Sequence, residues 1–477
     1  MGQKANSSRK RRRKDTPGKS RHEGISEGSN QSPLDWIWMM MAGLFFVLMP
    51  FVVSTAGYES FDAPKNSFLL LGIAVLAVFG LVSGRFKLYS PLNSIDLLAL
   101  VCFAYILLHT LLMGIIGSNW PSVLAFFALV VLYFILRSIP TRGFFKFVWL
   151  GIAFSMACNA VFTILQQLDM FPLMVGSGRA DASDRLVPAG FIGEVNRGGF
   201  LFALTLIALL YFVFCLDWRR KGLRISAIIL AASILAGLAF SRTMTSILGL
   251  SACLLLWLLF HNLYLLHKRK SPKRNLIVFW TVILVAVAGM SILAYRAGVV
   301  DRIQGIGRMV ERESWTYATS GRTPLFYLTW EMIKESPVAG NGLNSFPMDF
   351  YEFKTETETG RNVTLMTQPG AFKEVHNEFL QVWLELGLPG LILLLILFTL
   401  PVYRGFRFMF KEMHGEDFYW TGIMILGLIF TAITCLAFFP LHLAVTSPYI
   451  VLLIAGLVRF TTAPRDRKST RLNSSHY

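Results

Sequence analysis

The residues best suited to chemistry lie in the stretch HNEFLQVWLELGLPGLILLLILFTL, residues 376–400. His376 opens this stretch, and Asn377, Gln381 and Glu385 follow it at four-residue spacing, which places the three on one face of a helix. An imidazole with an unperturbed pKa of about 6.5 can accept a proton at neutral pH. The stretch therefore predicts His376 as a general base and the polar row as the wall of a substrate cavity. Interhelical polar contacts are the structural alternative for the row.

Two arginines beside apolar segments are candidate anion ligands. Arg322 comes directly before a predicted helix that begins with Thr323 as N-cap and Pro324 as its first residue. Free backbone N–H groups at that terminus favour an anion, and a guanidinium matches phosphate oxygens bidentately. Arg242 lies in a short turn between two apolar segments, where a cation needs a partner. Pairing with a surface acid (Arg322) and snorkelling to lipid headgroups (Arg242) are the alternatives.

A third arginine is a weaker candidate for the same anion. Val300, Ile303, Ile306 and Val310 form an apolar stripe that predicts an amphipathic helix lying on a membrane face. Arg302 lies in this helix, on the polar side. Arginines for an anionic leaving group and a histidine for an incoming hydroxyl together make a coherent transferase site.

These residues are carried by a polytopic membrane protein. The chain of 477 residues is 54% hydrophobic and only 15% charged, and its mean hydropathy is +0.55. Its apolar runs approach the length of about 20 residues that a helix needs to cross a bilayer. We predict an all-α bundle of twelve spans, near 35–54, 66–83, 94–115, 121–138, 144–168, 198–216, 225–241, 243–265, 275–295, 377–401, 418–439 and 443–459.

The distribution of lysine and arginine predicts the topology. Basic residues alternate by side, so the net charge of +17 reflects membrane orientation and not nucleic-acid binding. Both termini are then cytoplasmic. The predicted organisation is a disordered basic tail (1–34), a first bundle of nine spans (35–295), an outer loop with amphipathic helices (296–376), a second bundle of three spans (377–460) and a cytoplasmic tail (461–477). The final STRLNSSHY is typical of translated vector or adapter sequence.

Several other kinds of site are not supported by the sequence. The five cysteines all fall inside predicted spans and read as small apolar residues. No His, Cys, Asp or Glu set has metal-ligand spacing, and the glycine patterns follow no predicted strand. We therefore expect neither a metal nor another cofactor.

Four segments together resemble the O-antigen ligase and polymerase superfamily of bacterial envelope glycosyltransferases. They are GFIGEVNRGGFLFALTL (190–206), FSRTMTSILGL (240–250), GRTPLFYLTWEMIKESPVAGNGLNSF (321–346) and HNEFLQVWLELGLPG (376–390). The last fits the ligase pattern through His376, Asn377, Gly387 and Gly390, but Leu391 stands where threonine is common. In the first segment Asn196 carries over as a substrate-cavity residue, and Arg197 does not.

The resemblance implies a function for each of these sites. It implies transfer of a glycan from a polyprenyl diphosphate carrier, such as undecaprenyl diphosphate, to an acceptor hydroxyl on the periplasmic side of the inner membrane. Arg242 and Arg322 would bind the diphosphate, with Arg302 as a weaker addition. His376 would activate the acceptor. In the ligase branch, which we prefer, the acceptor is the lipid A–core of lipopolysaccharide.

Two alternatives stay open at this point. Within the same superfamily, the acceptor is a second carrier-linked repeat unit in polymerases and a protein in a third branch. From another class, a transporter or flippase with twelve spans would also be polytopic and charged at its mouth. Transporters commonly show related halves and broken helices at mid-membrane, whereas this chain has one uniquely long outer loop.

Overall fold

Long apolar stretches in a bilayer must satisfy every backbone donor and acceptor internally, and the helix does this within one segment. The computed structural model describes residues 32–54, 61–86, 92–113, 120–168, 170, 190–216, 220–241, 243–267, 281, 288, 322–361, 374–411 and 415–461. Those residues contain α-helices and no β-strand. The prediction of an all-α membrane bundle is confirmed.

The described part of the chain forms thirteen α-helices in order. They are α1 (Pro33–Leu48), α2 (Asp62–Val82), α3 (Ser94–Leu112), α4 (Trp120–Ser138), α5 (Arg142–Gln167), α6 (Val195–Leu210), α7 (Lys221–Ser241), α8 (Met244–His267), α9 (Arg322–Glu335), α10 (Phe346–Arg361), α11 (Glu378–Lys411), α12 (Gly415–Thr434) and α13 (Ser447–Thr461). A 3₁₀ turn, Met49–Phe51, extends α1, and a π-helical turn, Tyr211–Cys215, extends α6.

Ten of these helices are long and apolar enough to cross a membrane, namely α1 to α8, α11 and α12. The shorter apolar α13 matches the last predicted span. The predicted ninth span, 275–295, lies almost entirely outside the described residues, as does the amphipathic helix predicted around residues 300–310. The helix predicted to have Thr323 as N-cap and Pro324 as its first residue is present as α9 and begins two residues earlier, at Arg322.

The centre of the bundle is formed by α6, α12 and α13. In their apolar windows 78% of α6 and 72% of α12 is buried, against 28% of α2. Aromatic contacts join the central helices, such as the stacked rings of Trp420 and Phe460. The Tyr449 hydroxyl donates to the carbonyl of Phe46 over 2.7 Å, which ties α13 to α1. Helix α11 packs against α12 and α13 of this centre, whereas α3 packs against α11 and α4, and α2 packs against α1 and α4.

Basic residues gather with acidic partners at one end of the bundle, which we call the basic end. Arg137 binds Asp96 over 3.0 Å, Arg142 binds Asp417 and Lys146 binds Glu416 over 2.8 Å. These pairs join the ends of α3 to α5 and α12. The opposite end, where α2, α6 and α11 begin, is the site end.

The helix α11 is broken by a kink at Gly387, where φ is 65° and ψ is −173°. Such a break frees carbonyl groups, and Pro389 brings no N–H of its own. The turn that follows α9 supplies replacement donors: Asn341 N–H bonds Leu384 over 2.8 Å and Gly342 N–H bonds Glu385 over 2.9 Å. The Tyr105 hydroxyl donates a hydrogen bond to the carbonyl of Leu386 over 2.6 Å. The turn between α9 and α10 is therefore attached to α11 through backbone bonds.

The segment between α12 and α13 differs from the prediction. Spans at 418–439 and 443–459 would leave only residues 440–442 as a turn, but α12 ends at Thr434 and α13 begins at Ser447. Residues 435–446, called here the 435–446 turn, fold back as successive turns against the start of α11. The reason is that Phe438, Phe439 and Leu441 are apolar but buried against protein, so hydropathy alone assigned them to helices.

Gly387→Ala should destabilise the protein, because a Cβ there would overlap the carbonyl oxygen of Val338 and the residue has positive φ. Strained backbone of this kind costs about 1–3 kcal/mol before the overlap is counted. Thermal unfolding in detergent should show a clear fall in Tm. The control Gly222→Ala, in the open space at the start of α7, should keep or raise Tm. Equal Tm for wild type and Gly387→Ala would contradict the kink's role.

Candidate active site

The start of α11 is held by the 435–446 turn. Asn377 caps the helix, accepting the N–H of Leu380 over 3.1 Å, and its amide donates to the carbonyl of Leu436 over 3.1 Å. The Glu378 N–H bonds the carbonyl of Cys435 over 2.9 Å. The Glu378 carboxylate in turn accepts the N–H of Leu441 over 3.2 Å. These bonds satisfy donors that the first turn of a helix would otherwise leave open.

His376 lies between these attachments in an unusual conformation. Its φ is 59°, in the left-handed region that costs a residue with a Cβ about 1–2 kcal/mol. Its half-buried ring lies edge-on to Phe439 with the centroids 5.2 Å apart. The preceding N–H, of Val375, bonds the side-chain oxygen of Gln381 over 3.2 Å. The histidine predicted as the base is therefore fixed from both sides of the chain.

A polar cluster follows along α11, in which Glu378, Gln381 and Glu385 are buried and His442 is partly exposed. His442 Nδ1 lies 2.6 Å from Glu378 Oε1, and its Nε2 lies 3.8 Å from Glu385 Oε2. Gln381 donates to Glu385 over 3.1 Å, and the Asn344 N–H bonds the same carboxylate over 2.8 Å. Burial acts to lower the pKa of His442, but Glu378 and Glu385 outweigh it and hold that pKa well above the usual range. The two carboxylates therefore favour the protonated form of His442.

A second charged cluster surrounds the first turn of α6. Arg197 binds Asp62 of α2 and Glu194 over 2.7 Å, and the Asn196 amide donates to Glu194 over 3.0 Å. Lys65, 1% exposed, donates to the carbonyls of Val52 and Phe191, each over 3.0 Å. Arg197, which does not fit the family resemblance, therefore pairs its guanidinium with the carboxylates of Asp62 and Glu194.

Glu374 connects the two clusters. Burial raises the pKa of its carboxyl to about 7, although the charges of Arg197 and His442 act to lower it. It stands two residues before His376. A carboxyl with this pKa changes charge close to neutral pH, so the electrostatic field near His376 depends on pH.

The arginines predicted for the anion are only partly described. Arg322 is half-buried at the first residue of α9, one turn before Leu325. Leu325 belongs to a buried cluster with Val375, the neighbour of His376, and with Leu384 of α11. Arg322 and His376 therefore flank the same small core. Arg242 and Arg302 lie outside the described residues, although Thr243, next to Arg242, lies against Gly199 near the start of α6.

An elongated cavity of about 290 Å³ begins at the Glu378–His442 pair. From α11 it is lined by Glu378, Val382, Leu386 and, past the kink, Gly390 to Leu397. Its other walls are mainly apolar side chains of α2, α3 and α4, such as Leu69, Ile106 and Phe126. These helices also contribute Asn66, near the start of α2, Tyr105 in α3 and Ser122, near the start of α4. The span of α11 that lines it corresponds to a length of roughly 25 Å. One end is therefore polar and the remainder mainly apolar.

The polar row predicted along α11 does not line this cavity. Glu378, Val382 and Leu386 form the cavity face, one residue out of register with Asn377, Gln381 and Glu385. Those three side chains, and Asn196, instead hydrogen-bond protein groups. The row holds the backbone on both sides of His376 and the turn after α9 in this structure, and its contact with a substrate stays a prediction.

Sequence reasoning missed Glu378 and His442. Spacing gives no signal for Glu378, because this residue does not belong to the row of Asn377, Gln381 and Glu385. His442 was assigned to a three-residue connection between spans. Pro440 and Pro448, which bracket it in FFPLHLAVTSPY, were the available signal for a longer turn. Among the described residues, no group of three or more His, Cys, Asp or Glu could hold a metal ion.

Comparison with known families gives one match. The family model Wzy_C, described as O-antigen ligase, matches residues 229–395. The matched region runs from the middle of α7 through α9 and α10 to the kinked part of α11. It includes Arg242, Arg322 and His376. No curated protein matches the chain.

Glu374→Gln should change the pH dependence of stability. Because the folded-state pKa is raised from about 4.5 to about 7, the folded protein keeps a proton that the unfolded chain loses, and wild-type stability falls as pH rises through this window. The variant should match wild type below pH 4.5 and be more stable above pH 7, by about 1–3 kcal/mol. Tm measured from pH 4 to 8 tests this. Parallel curves for the two proteins would contradict it. Glu331→Gln, at the surface of α9, is the control.

Proposed function

We propose that the chain ligates O-antigen to lipid A–core, a proposal that rests on the match of residues 229–395 to the O-antigen ligase family model. In the proposed reaction, a glycan moves from a polyprenyl diphosphate carrier to an acceptor hydroxyl. The multi-pass membrane character and the family match establish a membrane enzyme of the ligase and polymerase type. The carrier, the acceptor and the roles of individual residues belong to the proposal.

The observation that carries the proposal is the cavity with one charged end. A polyprenyl carrier is a long apolar chain with an anionic head, so it needs an apolar channel that opens beside polar groups at headgroup depth. The cavity along α11, mainly apolar with the Glu378–His442 pair at one end, supports such a channel. Burying an apolar chain there is favourable at about 25 cal/mol per Å² of surface removed from water. The predicted arginines would meet the head outside the carboxylate cluster.

The proposed chemistry needs a base and an anion site. His376 takes the proton of the acceptor hydroxyl while its oxygen attacks the anomeric carbon of the donor. The bond from that carbon to the diphosphate oxygen breaks, and the diphosphate leaves with the electron pair. Arg322, Arg242 and Arg302 neutralise the leaving charge. A positioned base typically contributes about 10²–10⁴-fold.

The same proposal assigns the sides of the membrane. The basic end of the bundle carries Arg85, Arg137, Arg142 and Lys146, which the positive-inside rule places at the cytoplasm. The site end then faces the periplasm. Both termini are cytoplasmic in this arrangement, and the protein resides in the bacterial inner membrane.

Complementation in two bacterial strains tests the acceptor class. The chain should restore the smooth lipopolysaccharide ladder in a ligase-null strain and leave a polymerase-null strain unchanged. Rescue of the second strain alone would assign the chain to the polymerases. Expression with rescue of neither strain would overturn the proposal, and uptake or flipping activity in proteoliposomes would then favour a transporter.

His376→Ala should abolish the ladder while leaving the amount of protein in the membrane unchanged. His376→Asn is the sharper variant, because asparagine tolerates positive φ and removes only the imidazole. Both should reduce transfer by at least about 100-fold. The control is His261→Gln in α8, whose histidine contacts Tyr419 away from the site end. Activity of His376→Asn near the wild-type level would exclude His376 as the base.

Arg322→Ala and Arg242→Ala should weaken binding of a polyprenyl diphosphate donor in nanodiscs. Loss of a charge-assisted contact of about 1.5–3 kcal/mol corresponds to roughly 10–100-fold in Kd. Arg→Lys should not restore binding fully, since an ammonium is a point charge without the guanidinium fork. Lys334→Ala, at the exposed end of α9, is the control. Unchanged Kd in the alanine variants would remove these arginines from the anion site.

A further inference from the structure

His442 lies at the junction of the two elements that hold His376. Its Nδ1 makes a 2.6 Å ion-pair contact with Glu378 at the first residue of α11, and its own segment, the 435–446 turn, carries Phe439 against the ring of His376. In the same turn, the carbonyl of Cys435 accepts the Glu378 N–H, and the Leu441 N–H donates to the Glu378 carboxylate. Glu378 therefore joins α11 to the 435–446 turn through both its side chain and its backbone.

We propose that His442 is a positioning residue, whose ion pair with Glu378 locks the 435–446 turn onto α11 and so fixes His376 for proton transfer. This inference rests on the proposed function. It adds a residue that does not react: no bond to His442 forms or breaks. His442 and Glu378 also close the polar end of the cavity, so the lock lies beside the space assigned to the carrier.

The backbone of His376 shows why a lock is needed. A non-glycine residue with φ of 59° is held there only when its surroundings over-determine the conformation. Upstream, the Val375 N–H is bound by Gln381. Downstream, Asn377 and Glu378 are bound by the 435–446 turn. Removing the downstream attachment frees His376 to relax towards an ordinary backbone conformation and moves its ring away from Phe439.

The lock depends on the charge of His442. The titratable groups that face it are Glu378 and Glu385 from α11, with Glu374 acting from the approach to α11. Arg197 stands on the far side of Glu374 and is already paired with Asp62 and Glu194. Without the imidazolium, buried carboxylates would repel each other across the cavity end. Deprotonation of His442 should therefore open the junction.

Three variants separate this role from simple packing. His442→Gln keeps the size of the side chain but removes its charge, and should reduce kcat by at least about 10-fold with little change in KM. Glu378→Gln weakens the hold on the proton and should move the alkaline limb of the activity profile about one unit lower. His442→Lys retains a cation of higher intrinsic pKa, so it should keep partial activity and move the limb upward.

Transfer is measured in proteoliposomes with a polyprenyl-diphosphate-linked glycan and a lipid A–core acceptor, with His261→Gln as the control. Hydrogen–deuterium exchange of residues 374–386 and 435–446 gives a readout that needs no activity. It should rise in His442→Gln relative to wild type. If the wild type is inactive but exchange rises in His442→Gln, the proposed function fails and the role of His442 in holding the 435–446 turn on α11 is supported.

Two results would overturn the proposal. In one, wild type is active and His442→Gln has the same kcat and exchange. In the other, exchange rises in His442→Gln but the alkaline limb stays unmoved in Glu378→Gln and His442→Lys, which would make His442 a packing residue. Opposite shifts of the limb in these two variants would support the proposal directly.

Discussion

The backbone of α11 cannot leave polar groups open at the edge of a membrane, and this constraint shapes the site end. The kink at Gly387 interrupts its hydrogen-bond ladder, so the carbonyls of Leu384, Glu385 and Leu386 need donors from elsewhere. The turn after α9 and the Tyr105 hydroxyl provide them. These bonds hold the turn between α9 and α10 against α11. Arg322 comes with it, because α9 packs on the same helix.

Charge sets the second constraint. The site end holds five carboxylates near the cations of Arg197 and His442. Those of Glu378 and Glu385 are fully buried, and those of Asp62, Glu194 and Glu374 are partly exposed. Buried charges are tolerated only when paired. Arg197 and His442 are used for this purpose, and so they are unsuitable ligands for a diphosphate. Under the proposed function, the anion must then meet arginines outside the two clusters, which is the role assigned to Arg322, Arg242 and Arg302.

Sequence reasoning reached the fold more completely than the site. Apolar runs of helical length predict spans because lipid permits little else, and helices stand where the spans were expected throughout the described part of the chain. The 435–446 turn escaped because hydropathy reports apolar side chains and cannot distinguish a turn buried in protein from a helix in lipid. Spacing identified the row of Asn377, Gln381 and Glu385, which shares a helix face as expected. It could not identify Glu378 as the partner of His442, since that pair is made by tertiary contact.

The two histidines at the site end are suited to opposite tasks by their surroundings. His442 has a carboxylate oxygen 2.6 Å from Nδ1 and another 3.8 Å from Nε2, and these carboxylates favour its charged form. His376 is set in a backbone conformation that costs about 1–3 kcal/mol, which the contacts of Asn377, Glu378 and Gln381 must offset. The fold keeps His376 in this strained conformation and stabilises the 435–446 turn beside it through His442. It therefore places the His376 ring where a relaxed backbone would not. For a proton transfer, which requires heavy atoms within about 3 Å, that placement is the contribution the fold makes to the proposed reaction.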